Sequence, residues 1–597
     1  MGLGRRRHVD RRFGAKQERM TKGLRSISSL FWRYRWRVVL GGLCLLVADG
    51  GQLAIPLVVK RVIDALAGGG ATAGLIARQA LVLLFLAVLV AGFRFFWRHF
   101  FFSMSRLAEL DLRNRILDHA LTLSARFFTR TRTGEIMALA TNDVESVRQA
   151  LAMGFVAGFD ASIYALVAIA AMLWLDPLLA LWTILPLPLL AVIMAVSLQA
   201  IYSRWDAVQA SFEGLTEKTR ESVAGIRVLR AYNQEGGDVG DFDGHNLDYF
   251  RKYMRYVRVD AFFHPAILLV AGSCVAILLG VGGARVMEGR TSIGSFVAFA
   301  SYLGMLTWPM IAAGWMLSLV QRAAASMARI DALLDLSEVE DRTAADGLPL
   351  TLRGDLEARD LTFSYPDQAV PALQDVSFRV APGGSLGIVG EVGSGKSTVV
   401  QLLLRVYDPP QGTLFVGGSD ALSLPVRSLR ERISYVPQEP FLFSDTIAEN
   451  LRLAKPGATE PEMARACALA ALHEEIASFP EGYRTLLGER GITLSGGQKQ
   501  RLCLARALLK PAPVLVLDDT LSAVDADAER LILDGLAQAT ADRTLVVVSH
   551  RVSAVRDLDQ ILCLKEGRVI QSGTHEELAA VPGFYRQMIE LQEMERD

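Results

Sequence analysis

Net charge is what this sequence most plainly lacks. Its 63 Lys+Arg are matched by 63 Asp+Glu, so no overall positive field exists to gather a phosphate backbone, and nucleic acid drops out as a partner. Cysteine is scarce too. Cys44, Cys274, Cys467, Cys503 and Cys563 show none of the paired spacings of a metal site, and their apolar surroundings read as free, buried thiols. No cleavable leader is expected either, since the first apolar run is long and leads to no small-residue cleavage site before a soluble domain.

What the chain has is apolar sequence, 51% of 597 residues, concentrated in its first half. A spanning helix needs about 20 mostly apolar residues, and six windows qualify: 38 to 59, 79 to 102, 150 to 174, 178 to 201, 261 to 287 and 292 to 320. Ahead of them the sequence is basic, with Arg5, Arg6, Arg7, Arg11, Arg12, Lys16, Arg19, Lys22 and Arg25, which argues for a cytoplasmic N-terminus. Six crossings return the chain to that side. The short turns at Asp176-Pro177 and Glu288-Gly289-Arg290 then face outward, and the long charged connections at 103 to 149 and 202 to 260 become cytoplasmic helical extensions.

Each extension carries a polar interruption. The first runs from Phe127-Phe128-Thr129 through Arg130 and Arg132 to a bend at Gly134-Glu135-Ile136, then into Ala140-Thr141-Asn142-Asp143; the second falls at Tyr232-Asn233-Gln234-Glu235-Gly236-Gly237. Both are expected to be short transverse helices that dock on a soluble domain. Within or near the spans lie Asp49, Gln52, Arg94, Arg98, His99, Asp160, Asp260 and His264. Charge in hydrocarbon is costly, so Asp49 and Asp160 are expected to face a cavity, while Arg94, Arg98 and His99 read as a cluster snorkelling at a helix end. Pro186, Pro188, Pro265 and Pro309 are expected to kink helices. Phe95, Phe96, Trp97, Phe101 and Trp315 suit either a pocket or a lipid-facing belt.

Beyond about residue 322 the hydropathy falls, and β-like runs appear at 355 to 364 and 374 to 380. The apolar run Ser385 to Val389 feeds directly into Gly390-Glu391-Val392-Gly393-Ser394-Gly395-Lys396-Ser397-Thr398, after which a helical pattern begins. Strand, glycine-rich loop and helix in that order make a Walker A phosphate loop for ATP. Glycines let backbone N–H groups wrap phosphates, Lys396 reaches the β/γ oxygens, and the Ser397 hydroxyl ligates Mg²⁺. Farther on, Val514-Leu515-Val516-Leu517-Asp518 reads as a buried parallel strand that ends in a Mg²⁺ carboxylate. Between the two, Leu494-Ser495-Gly496-Gly497-Gln498 suits a second phosphate-binding turn at a helix start.

In order along the chain stand Phe363-Ser364-Tyr365, the Walker A loop, Pro437-Gln438-Glu439, the Leu494 to Gln498 signature, Walker B, Ser522-Ala523-Val524-Asp525 and His550. With that series the chain resembles an ATP-binding cassette exporter half-transporter from about residue 30 to its end. The resemblance implies an all-α, six-helix transmembrane domain with long cytoplasmic extensions, plus an α/β P-loop nucleotide-binding domain. The expected divisions are a basic cytoplasmic tail (1–30), a membrane domain with two coupling helices (31–325), a linker (326–350) and the nucleotide-binding domain (351–597). The setting is the cell membrane, with tail and nucleotide-binding domain cytoplasmic.

The resemblance also assigns roles. Tyr365 would stack on adenine, with Gly390, Gly393, Ser394, Gly395, Lys396, Ser397 and Thr398 around the phosphates. Gln438 would join Ser397 and Asp518 at Mg²⁺ and sense the γ-phosphate, which His550 would also bond. Ser495, Gly496, Gly497 and Gln498 would hold ATP carried by a partner subunit, and Asp525 would link the two sites. Glu489 and Arg490 would contact the partner's transverse helix.

One departure stands out. Family members competent in hydrolysis follow the Walker B aspartate with a glutamate that positions water, whereas Asp519 follows Asp518 here. Aspartate keeps the charge but withdraws it by one methylene, and positioning losses of that size are severe. The pattern resembles the degenerate-site subunit of bacterial heterodimeric multidrug exporters, which would pair with a second, non-identical half-transporter and move small amphipathic molecules or lipids. A homodimeric exporter, a lipid flippase, and an ATP-gated channel or regulatory subunit remain open.

Overall fold

The computed structural model describes residues 21–594 apart from 338–353, 367, 369, 489–490, 492–493 and 522–525. It divides into two units, one of residues 1–121 with 132–337, the other of 122–131 with 338–597.

The first unit is helical. Residues 21–33 form α1, followed by α2 (Arg35–Ala67), α3 (Ala73–Ala120), α5 (Thr133–Leu175), α6 (Pro177–Ile184), α7 (Leu187–Ala224), α8 (Ile226–Ala231), α9 (Glu235–Met287) and α10 (Ile293–Leu334); α4 (Ala125–Arg130), between α3 and α5 in the chain, belongs to the second unit. Among the described residues, α2, α3, α5 and α9 are long and apolar enough to cross a membrane, and Pro177–Leu189 and Ile293–Leu306 are shorter apolar stretches. Those two stretches lie in the fourth and sixth expected windows.

Apolar side chains alone hold such helices loosely in lipid, so polar contacts specify the register. Asp176 is 5% exposed; it caps α6 through the Leu179 N–H and accepts from Arg285 Nε at 2.9 Å and Thr291 Oγ1 at 2.6 Å. The two short turns expected on one side are thereby tied together. Asp64 accepts from the Gly294 N–H at 2.8 Å, which pins the end of α2 to the start of α10. Toward the other end, buried Asp143 accepts from Ser326 Oγ and from the Arg329 guanidinium, joining α5 to α10. Between these ties Tyr302, fully buried, donates to the Leu53 carbonyl at 2.8 Å.

The breaks differ from expectation. Gly134 lies inside α5, and Gly236 and Gly237 lie inside α9. The first break instead turns at Leu121–Ser124 and Thr131–Arg132 around α4, whereas the second turns at Gly225 and at Tyr232–Gln234 around α8, the latter within the expected stretch. A glycine costs a helix interior about 1 kcal/mol, but all three glycines here are exposed and stand in the first turn of their helices, where backbone N–H groups have no helical partner to lose. Asn233, at φ 52°, is the left-handed residue that ends the second break. Pro186 and Pro188 likewise start α7 rather than kink it, since the first turn needs no N–H there. Pro265 and Pro309 do lie inside helices, as does Pro56.

In the second unit β1 (Leu356–Phe363), β2 (Leu373–Val380), β4 (Leu414–Val416) and β5 (Ser419–Asp420) form a four-stranded sheet in the order β2-β1-β4-β5. A six-stranded sheet joins β3 (Ser385–Gly390), β6 (Ile433–Val436), β7 (Val514–Asp518), β8 (Thr544–Val548), β9 (Gln560–Lys565) and β10 (Arg568–Gly573) in the order β10-β9-β3-β8-β7-β6. Within it β9-β3-β8-β7-β6 pair parallel. Every residue of β7 and β8 is buried, as befits parallel strands covered on both faces. Their carboxyl ends open at one edge, where such sheets bind ligands.

Candidate functional site

That edge gathers the phosphate-loop residues. The loop leaves β3 at Gly390, where an added Cβ would lie 2.2 Å from the Leu564 carbonyl oxygen; no other residue fits. Gly393 and Gly395 take φ of 83° and 97°, the left-handed region that glycine enters freely. Around Gly393 the space is open, whereas a Cβ on Gly395 would strike the Ala372 carbonyl at 2.6 Å. From Lys396 the chain enters α11 (Lys396–Leu403), whose amino end supplies free N–H groups. The Ser394 hydroxyl is buried with no hydrogen-bond partner, an orphaned donor set within an otherwise satisfied loop.

Lys396 bends back onto its own loop, donating to the Gly390 and Glu391 carbonyls at 2.8 and 2.7 Å. Burial lowers its pKa, against the pull of Asp519, Asp518 and Glu391. The Ser397 hydroxyl donates to Asp518 Oδ1 at 3.1 Å, which joins the two expected metal ligands from α11 and β7. Asp518 is only 4% exposed. Burial raises its pKa, helped by Asp519 and opposed by Ser397 and Lys396. A buried carboxylate beside a hydroxyl, next to an open glycine loop with an orphaned serine, fits Mg²⁺ and a phosphate chain. A cavity of about 480 Å³ surrounds them, lined also by Tyr365, Gln438, Asp519 and His550.

Asp519 stands in the left-handed region at φ 48°, with its N–H bonded to the Val548 carbonyl at 2.8 Å. Aspartate tolerates that backbone better than most side chains. Its Oδ1 lies 2.7 Å from His550 Nδ1. An ionised carboxylate only accepts, so Nδ1 carries the proton in this contact. Tyr365 is anchored at the cavity rim by hydroxyl contacts to Thr398 Oγ1 at 3.0 Å and Gln401 Oε1 at 2.9 Å. Its ring packs edge-on to Tyr407. Gln438 is exposed just past β6.

Ser495, Gly496, Gly497 and Gln498 do not line this cavity. They open the helix Gly496–Leu509 with a reciprocal capping box between Ser495 and Gln498. Gln498 also donates to Glu475 at 2.7 Å, and Glu475 is held in turn by Arg501 at 2.7 Å. Glu475 precedes the signature by twenty residues, and no local pattern in the sequence points to it. Asp525, Glu489 and Arg490 lie outside the described residues, as do Ser522, Ala523 and Val524.

In the helical unit, Arg94, Arg98, Trp97, Asp160, Trp308 and Trp315 help line a cavity of about 500 Å³. Arg94 donates to the Tyr164 hydroxyl at 3.1 Å, and Trp308 Nε1 donates to Asp160 at 3.1 Å. Both arginines therefore line a cavity rather than snorkel as a cluster with His99: Arg94 finds a polar group in Tyr164, and Arg98 lies over the Trp97 ring. Asp49 is fully buried and takes no place in the lining. His99 stays exposed. Phe101 is core, and Phe95 and Phe96 are exposed at 67% and 50%.

A membrane-spanning helical unit followed by a phosphate loop, a signature turn and a Walker B strand defines an ATP-driven membrane transporter. Residues 38–310 match the ABC transporter transmembrane region and residues 373–522 the ABC transporter ATPase family, and the chain belongs to the ABC transporters. It is 36% identical over 576 residues to the multidrug resistance-like ATP-binding protein MdlA of Escherichia coli, covering 96% of this chain and 97% of that one. A probable multidrug resistance ABC transporter ATP-binding/permease protein of Bacillus subtilis, YheI, is 35% identical over 574 residues, covering 96% and 98%. Among solved structures, a bacterial Atm1-family ABC exporter with ATP bound aligns with a TM-score of 0.75 and 27% identity, over 94% of this chain and 98% of that one. The protein is thus an exporter half-transporter of the multidrug-resistance type. It is a multi-pass membrane protein with a cytoplasmic ABC domain that uses ATP with Mg²⁺ and couples hydrolysis to transport.

Proposed function

We propose that this chain is the slow-site half of a two-subunit exporter: it holds ATP on its own loops and completes hydrolysis on a non-identical partner. Six spans carry the substrate, an amphipathic small molecule or lipid, outward by alternating access. Bound ATP supplies the transferable phosphoryl group and, with Mg²⁺, the charge that draws the two nucleotide-binding domains together. Lys396 would exchange its two loop carbonyls for phosphate oxygens, and Ser397, Asp518 and Gln438 would hold the metal. Ser495 and the glycines after it present N–H groups to the partner's nucleotide, with Gln498 fixing the turn.

The observation that carries the reading is Asp519, whose short carboxylate is engaged by His550 at 2.7 Å. Held there, it lies back from the place where a glutamate would orient water. With Nδ1 committed to Asp519, a neutral His550 offers no Nε2 proton; it must gain a second proton or leave Asp519 before it can donate to a phosphate. Both effects slow this site while leaving nucleotide binding to other groups.

The test is ATPase turnover of the purified pair after the partner's Walker B glutamate is changed to glutamine. Turnover should fall to a small residue; turnover near that of the unaltered pair rejects the asymmetric reading. The intact Ser495 to Gln498 turn and Walker loops in one chain equally suit a homodimer. That reading predicts robust ATP-dependent transport by this chain purified alone.

A further inference from the structure

We propose that the apolar cavity beneath α1 binds an anionic phospholipid, with an acyl chain in the cavity and the phosphate held by Arg25 and Arg35. The cavity measures about 650 Å³ and is walled by Leu24 and Phe31 of α1, Phe155 and Phe159 of α5, and Met316 and Val320 of α10. It is built into the fold. Gly23 of α1 sits so close to α10 that a Cβ there would lie 2.1 Å from the Ala324 carbonyl oxygen, and Lys22 pairs with Asp335 at 2.6 Å. Phe31 packs on Phe155 with ring centroids 5.0 Å apart. Gly154 and Gly158 lie on the same α5 wall as Phe155 and Phe159, and a Cβ at Gly158 would close to 3.2 Å on Met316 across the cavity.

Charge identifies the occupant. Of the cations in this stretch, Lys22 is matched by Asp335 and Arg33 by Asp111 at 2.8 Å, and Arg37 donates to Ser103. Arg25 and Arg35 are exposed and have no acidic partner among the described residues. Arg35 lies over the ring of Trp32, and Trp32 and Trp36 are 72% and 70% exposed. Exposed tryptophans beside unpaired arginines mark a helix lying at the headgroup level of a membrane. Arg25 adjoins the lining residue Leu24, and Arg35 lies over Trp32, which adjoins the lining residue Phe31, so two unmatched guanidinium groups flank an apolar cavity and complement a lipid with a net negative head and a long tail.

The full chain, purified from nanodiscs of equal phosphatidylglycerol and phosphatidylcholine and examined by native mass spectrometry, should retain phosphatidylglycerol preferentially. Arg25→Gln with Arg35→Gln should weaken that retention roughly five-fold per arginine and leave phosphatidylcholine unchanged. Ser162→Trp, which fills the cavity, should remove the tightest lipid of either head group, and Leu24→Trp should do so from the α1 side; each counts only with an unchanged melting temperature. Equal retention of the two lipids, or retention unmoved by either tryptophan, overturns the proposal. In the assembled, lipid-depleted transporter Ser162→Cys should react with a maleimide and be protected by added phosphatidylglycerol. Protection before lipid is added would give the cavity to the partner subunit and also overturn it.

Discussion

Lengthening Asp519 to glutamate moves its carboxylate by one methylene, about 1.5 Å along the side chain. The present carboxylate ends on His550 Nδ1 at 2.7 Å, so the longer one must reach past the imidazole into the cavity where Ser397 and Asp518 meet. If misplacement of about 1 Å costs about 10²-fold when catalysis depends on positioning, Asp519→Glu should return up to that factor, or about 2.7 kcal/mol of barrier. A smaller cost opposes it. At φ 48° glutamate lacks the short side chain that eases a left-handed backbone, so the domain should lose up to about 1 kcal/mol, a few degrees of melting temperature for its size. The assay is steady-state ATPase in a pair whose partner carries glutamine in place of its own Walker B glutamate, so that only this chain's loops turn over. Turnover within two-fold of the unaltered chain would refute the positioning argument, and so would fast turnover with aspartate in place.

Four further outcomes are expected. Lys396→Ala should abolish measurable ATP binding by a fluorescent nucleotide assay yet leave the melting temperature within about 1 kcal/mol of stability, since the two carbonyls it releases can turn to water. Because the Asp518 pKa is raised by burial, protons should displace Mg²⁺ at a higher pH than for an ordinary carboxylate. Mg²⁺-dependent nucleotide affinity then weakens as pH falls toward that raised value, and Asp518→Asn should flatten the profile. Without metal the sign for folding is the reverse: the raised pKa favours the folded domain at low pH, and that contribution is lost as pH rises through it. Glu475→Ala should leave ATP binding by this chain intact but slow hydrolysis on the partner's loops about ten-fold, roughly one charged hydrogen bond, with Glu475→Gln recovering part. Asp176→Ala should cost up to about 3 kcal/mol by stranding the partly buried Arg285, seen as a lower melting temperature in detergent.

The nucleotide edge was legible because its constraints are local. Gly390, Gly395 and Lys396 must follow a strand and open a helix, and Asp518 must end an apolar run; each rule acts within a few residues. The helix breaks were legible only in part. Tyr232 to Gln234 do form a turn, but Gly134, Gly236 and Gly237, which carry the composition of turns, fall in the first turns of α5 and α9, where glycine's cost of about 1 kcal/mol in a helix interior is felt least. Arg94 and Arg98 misled because Tyr164 and the cavity walls come from distant helices. Glu475 reaches Gln498 only through the fold of the helical layer.

The 48 residues of α3 run about 72 Å at 1.5 Å per residue, while the hydrocarbon of a bilayer takes up only about 30 Å. The 18 residues beyond the expected window, 103 to 120, make roughly 27 Å of stiff rod that ends at the turn into α4. A tilt of about 10° in such a rod sweeps its tip through about 5 Å. A helix of this length has a mechanical advantage: rotations too small to disturb side-chain packing within the membrane correspond to larger travel at its far end.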